Sequence, residues 1–201
     1  MAMQDADQKL ANPAQLFVIS GPSGVGKNTV AHALCQRGLA TRAVTATTRH
    51  PREGEKDKVD YHFLSERTFS AWIEEGRFLE HTEYVGHRYG APISSVNEAV
   101  LSGLPVILTI DVKGGLQIKE MSEDVTLIFL AAPSEEELKR RLRQRARGDD
   151  KSAQQRLNRA RQERRYAKQY DFLVVNDDLD LALEEIAEIM SRRFPSGHNH
   201  S

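Results

Sequence analysis

Four short runs along the chain are apolar and rich in β-branched residues: 16–20, 106–111, 125–130 and 172–175. Such continuous runs, the first ended by Gly21 and Pro22, predict strands of a parallel sheet covered on both faces. Helical periodicity fills the intervals. It covers 26–37, then 66–75 with Phe69, Trp72 and Ile73 on one face, then 94–102 before the second run. Ser134 with Glu137 three residues on reads as a capping box opening a long helical segment. The last helix repeats Leu183, Ile186, Ala187 and Met190 at i, i+3, i+4 and i+7. Alternating strands and helices predict an α/β layered fold. The aromatic and charged stretch at about 45–92 breaks the alternation and reads as a small inserted unit.

Composition narrows the class. The 201 residues suit one domain at about 15–194, with loose polar tails at 1–14 and 195–201. The 28 basic and 29 acidic side chains nearly cancel, which argues against a nucleic-acid coat. A single cysteine, Cys35, fits a reducing compartment. No apolar run approaches the ~20 residues of a membrane span, and the first fifteen residues lack a signal-peptide pattern. The expectation is a cytoplasmic protein with no membrane partner. His198 and His200 in the C-terminal tail fall short of the three or four ordered ligands of a metal site.

Directly after the first run comes Gly21-Pro22-Ser23-Gly24-Val25-Gly26-Lys27-Asn28-Thr29. Its glycines let backbone N–H groups converge on one point, and the following helix adds the positive end of its dipole. Lys27 can reach the outer phosphates of a nucleotide. The spacing is that of a Walker A loop with one departure: Asn28 stands where Ser or Thr offers Mg²⁺ a hydroxyl. Thr29 points about 100° further round the helix.

Further motifs follow in order: Thr47-Thr48-Arg49-His50-Pro51-Arg52-Glu53-Gly54-Glu55, Asp60-Tyr61-His62-Phe63, Gly76-Arg77-Phe78-Leu79-Glu80, Tyr89-Gly90-Ala91, Asp111-Val112-Lys113-Gly114, Ala131-Ala132-Pro133-Ser134 and Val175-Asn176-Asp177-Asp178-Leu179. From about Leu16 to Phe194 the chain resembles the guanylate kinase family, which carries T-T-R-x-P-R-x-G-E, D-Y-x-F, G-x-F-x-E, Y-G-[ST], D-x-x-G, A-P-P-S and V-N-D-D-L in this order.

The resemblance implies a three-layer P-loop kinase fold with a parallel core sheet, a small mixed-β insert binding GMP, and a helical lid at about 135–165. It implies transfer of the ATP γ-phosphoryl group to GMP, and to dGMP, within purine nucleotide metabolism. The donor ATP falls to the loop from Gly21 to Thr29, with Asn176 at the adenine edge. Glu80 should read guanine, because one carboxylate can accept from N1–H and the 2-amino group together. Thr45 should meet the O6 edge. Arg49, Arg52, Tyr61 and Tyr89 resemble a clamp on the GMP phosphate, where arginine's planar fork suits the anion. Asp111 should face the same nucleotide. Mg²⁺ would be met by Asn28 and, through water, by Asp111. Ala91 and Thr109 stand where the family has Ser/Thr and an acidic residue, changes worth about 1 kcal/mol each in monophosphate binding.

Residues 139–168 hold 13 of the 28 basic side chains. Most read as a solvated helix pair, and there is little of the aromatic interleaving a nucleic-acid surface needs. The resemblance picks out Arg141, Arg145 and Arg156, flanking the turn at Gly148-Asp149-Asp150, as lid arginines countering charge on the transferring phosphoryl group. A peptide-binding relative without catalysis would lose Lys27 and these arginines; all four are present. A kinase for another phosphorylated small molecule is the other alternative, and Glu80, Tyr61 and Tyr89 favour guanine over it. Oligomeric state is not legible.

Overall fold

The computed structural model describes residues 9–84, 86–146 and 150–195, without the side chains of 145, 146 and 150–153. Among the described residues there are a five-stranded sheet and a four-stranded sheet. The first is wholly parallel, in the order β2 (Thr41–Arg42), β7 (Val106–Thr109), β1 (Leu16–Ser20), β8 (Thr126–Ala131) and β9 (Phe172–Val175). β1 lies in the middle, with Leu16 beside Val106 and Phe17 beside Thr126.

The period of two along β1 sends its side chains into two cores. Phe17 and Ile19 pack with α1 (Lys27–Gln36) and α7 (Leu179–Arg193), through Leu34, Ile186 and Met190. Leu16 and Val18 pack with α3 (Ile93–Val100) and α4 (Val112–Met121), through Val96 and Ile118. All five positions of β1 are buried, which is why the run is apolar without alternation.

The insert forms the second sheet, in the order β4 (His62–Phe63), β3 (Ala46–Thr47), β6 (His87–Pro92) and β5 (Phe78–Tyr84). It is mixed: β3 runs parallel to β4 and antiparallel to β6. Ser65 caps α2 (Glu66–Glu74) by accepting from Thr68 N at 3.1 Å, and Phe69 stacks on Phe78 at 4.6 Å between ring centres. The lid segment is two helices, α5 (Glu135–Ala146) and α6 (Asp150–Glu163).

Two expectations need correction, and one helix was not foreseen. The run 106–111 is a strand only to Thr109; Asp111 leaves it to cap α4, accepting from Gly114 N at 2.8 Å. α4 itself is not legible from periodicity, because Gly114 and Gly115 lower its intrinsic propensity. Residues 9–14, expected as loose tail, are tied down: Asn97 accepts from Ala11 N and donates to Lys9 O, each at 2.9 Å. His198 and His200 lie outside the described residues.

Candidate active site

The C-terminal ends of β1 and β7 and the concave face of the insert enclose a cavity of about 230 Å³. Gly21, Ser23, Gly24, Gly26, Lys27 and Asn28 line one side. Arg52, Tyr61, Glu80 and Tyr89 line the other. Thr45 and Asp111 also face it, so the predicted donor and acceptor groups meet in one chamber.

The loop after β1 needs its glycines. Gly26 caps α1 at φ 98°, a left-handed conformation that side chains resist. A Cβ there would also stand 2.6 Å from Asn176 Nδ2. Lys27 Nζ donates to Gly21 O at 2.5 Å and Pro22 O at 3.1 Å, folding back over the loop. Val25 is fully buried in the core, and neither it nor Pro22 nor Thr29 lines the chamber.

Asn176, expected at the adenine edge, lies against the phosphate loop. Its side chain is 7% exposed, and Nδ2 donates to Val25 O at 2.7 Å. Arg141 Nη1 donates to Asn176 O at 3.1 Å, while its Nε donates to Glu137 at 2.7 Å. Asn176 thus braces the phosphate loop and Arg141 braces Asn176, and neither lines the chamber. Arg156 does not line the chamber either. The side chain of Arg145 and the turn at Gly148-Asp149 lie outside the described residues.

Glu80 is the chemical centre of the acceptor side. It is 5% exposed on β5, and among the described residues its Oε2 is the buried side-chain polar atom with no hydrogen-bond partner. Burial, and secondarily the negative charge of Asp111, push its carboxyl up to about 8. A Cβ on Gly114 would lie 2.4 Å from Oε2, so the D-x-x-G motif combines a cap with clearance for this carboxylate. A carboxyl that lines a chamber with one oxygen unpaired becomes, once ionised, an acceptor for paired N–H donors.

The Arg49–Arg52 segment of the insert is braced by Glu55. Its carboxylate accepts from Arg49 Nη2 at 2.9 Å and from Arg52 N at 2.7 Å. Arg49 also lies 5.5 Å from the Tyr61 ring centre and does not itself line the chamber. Arg52 does line it, and its guanidinium has no protein partner among the described residues. Tyr61, Tyr89 and Tyr84 form an edge-on chain with 6.3 Å between successive ring centres.

The guanylate kinase family model matches residues 13–193. The chain belongs to the guanylate kinase family. It is 45% identical to the guanylate kinase of Rubrobacter xylanophilus over 91% of this chain and 96% of that one. It is 41% identical to that of Prochlorococcus marinus, over 90% and 99% respectively. The crystal structure of the guanylate kinase from Anaplasma phagocytophilum superposes with a TM-score of 0.74 at 32% identity, covering 90% of this chain and 87% of that one.

Against the guanylate kinase pattern, the departures sit in telling places. Asn28 is exposed at the chamber wall. Ala91 is fully buried opposite Glu80 in the β5–β6 register, so the hydroxyl missing there leaves no gap to solvent. Thr109 lines the chamber. Four further lining residues went unseen in the sequence: Thr82, Tyr84, Arg159 and Glu163. Thr82 and Tyr84 share a face with Glu80 through the strand period of two, a signal available once β5 is placed. Nothing local marks Arg159 among the lid's other cations.

Proposed function

We propose that this chain transfers the γ-phosphoryl group of ATP to GMP, and to dGMP, yielding ADP and GDP or dGDP. The observation that carries this reading is Glu80, which lines the same chamber as the glycine loop and whose buried Oε2 has no hydrogen-bond partner among the described residues. Guanine offers two adjacent donors to a carboxylate, and adenine offers no such edge. Thr45, at the same end, supplies a hydroxyl for O6. Arg52, Tyr61 and Tyr89 hold the acceptor phosphate, with Arg49 acting on it through Glu55 and Tyr61. The loop amides and Lys27 hold the donor phosphates, Lys27 exchanging its loop carbonyls for phosphate oxygens.

An acceptor phosphate oxygen then attacks in line, and no covalent enzyme intermediate is required because both substrates share the chamber. The protein's contribution is positioning and fixed positive charge in a site that excludes water. Arg145 and Arg156 add charge from the lid; Arg141 acts by bracing Asn176 and the loop. Asn28 offers Mg²⁺ a neutral amide oxygen. Asp111, with one oxygen on Gly114 N and the other facing Arg159, suits a water-mediated contact. Bound there, Mg²⁺ would neutralise charge on the β- and γ-phosphates. The reaction belongs to purine nucleotide turnover in the cytosol; among the described residues no helix is long and apolar enough to cross a membrane.

The test is ADP formation from ATP with GMP, dGMP, AMP, CMP and UMP as acceptors. GMP and dGMP are expected to be used, with Glu80→Gln losing that preference. Equal turnover of AMP, or retention of the preference in Glu80→Gln, overturns the reading.

A further inference from the structure

Arg159 of α6 touches three parts of the molecule at once. Its guanidinium carbon lies 4.3 Å from the ring centre of Tyr84, on β5 of the insert. Its Nη2 lies 3.4 Å from Asp111 Oδ2, at the cap of α4 in the core. Its Nε donates at 2.8 Å to Glu163, one turn further along α6. Arg159, Tyr84, Asp111 and Glu163 all line the chamber, beside Thr82, Glu80 and Tyr89.

We infer that Arg159 is a positioning residue that latches the lid onto the acceptor half of the chamber, holding the Tyr84–Tyr89–Tyr61 ring chain closed over the monophosphate. This rests on the proposed guanylate kinase reading. The planar cation over the Tyr84 face gives a contact worth more as water leaves. Glu163, largely buried, fixes the guanidinium in the plane that meets the ring. Tyr84 passes that constraint to Tyr89 and Tyr89 to Tyr61, the rings placed at the acceptor phosphate. The donor loop is braced separately, by Asn176 and Arg141. The latch therefore acts chiefly on GMP binding, with a smaller effect on ATP through Glu163, whose charge is felt at Lys27.

Calorimetric titration of the full chain with GMP alone and with ATP alone separates the possibilities. Arg159→Ala is expected to raise the GMP dissociation constant about five- to tenfold, with the ATP constant changed by less than about twofold. Arg159→Lys, which keeps charge but loses the planar fork, recovers part of that loss. Tyr84→Phe, which keeps the ring, weakens GMP binding less than Tyr84→Leu does. The double variant Arg159→Ala/Tyr84→Leu is no weaker than the worse single variant, because both remove one contact. Unchanged GMP binding in Arg159→Ala, an equal loss for ATP, or additive losses in the double variant each overturn the latch. A wild-type chain that binds no GMP overturns the guanylate kinase reading itself, so the two failures are distinct.

Discussion

Glu80 ties fold, stability and substrate binding to one proton. With its carboxyl at about 8, only about one molecule in eleven carries the ionised form at pH 7. In the proposed pairing guanine's two donors require that form, so binding should expel the proton. The apparent GMP affinity scales with the ionised fraction, which rises about eightfold from pH 7 to 8.5. That window lies above the phosphate's own titration near pH 6. Titration calorimetry at pH 7 in buffers of differing ionisation enthalpy should count about 0.9 proton released per GMP bound. Glu80→Gln should bind GMP weakly, with affinity flat over the window. The stability sign is opposite. The folded carboxyl is raised above its unfolded value of 4.5, so the fold favours the protonated form. Stability is full below pH 4.5, falls as pH climbs toward 8, and levels off above that. At pH 7 the penalty is on the order of 3 kcal/mol, and Glu80→Gln should raise Tm there but not at pH 4. A pH-independent GMP affinity with no proton release would refute the account, because it would mean the carboxylate is already ionised or lies away from the base.

Three further outcomes are expected. Gly114→Ala drives a methyl into the Glu80 carboxylate, so KM for GMP should rise at least about tenfold while ATP binding persists; an unchanged KM places guanine elsewhere. Asn176→Ala strands the buried carbonyl of Val25, costing about 1–3 kcal/mol by denaturant unfolding and weakening ATP binding; a loss of GMP binding alone would contradict its bracing role. Asn28→Ser restores a hydroxyl at the first turn of α1 and should lower the Mg²⁺ concentration giving half-maximal turnover; an identical titration removes residue 28 from the metal's surroundings.

The apolar runs, the glycine loop and the break in alternation at the insert are local features, and local rules decode them. A strand buried on both faces must be apolar throughout, and a loop that aims its amides inward must place glycine where φ is positive. Hence the strands, the phosphate loop and the ordered motifs around Arg52, Tyr61, Glu80 and Tyr89 were legible from residue order. α4 was not, because its glycines serve a neighbour's carboxylate and, at Gly115, the Tyr170 hydroxyl rather than the helix.

What only the tertiary structure decided are contacts between residues far apart in the chain. Asn176 meets Val25 across 151 positions, and Arg159 meets Asp111 across 48. No periodicity spans such gaps. The sequence by itself determined which chemical groups the chamber contains: amides, a lysine, arginines, tyrosines and a glutamate. Folding decided which of them face the chamber and which brace it, and it left one oxygen of Glu80 dry and unpaired. The physical reason is that burial and hydrogen-bond saturation are properties of a neighbourhood in space, and they set the protonation and reach of a side chain that its own position in the sequence leaves open.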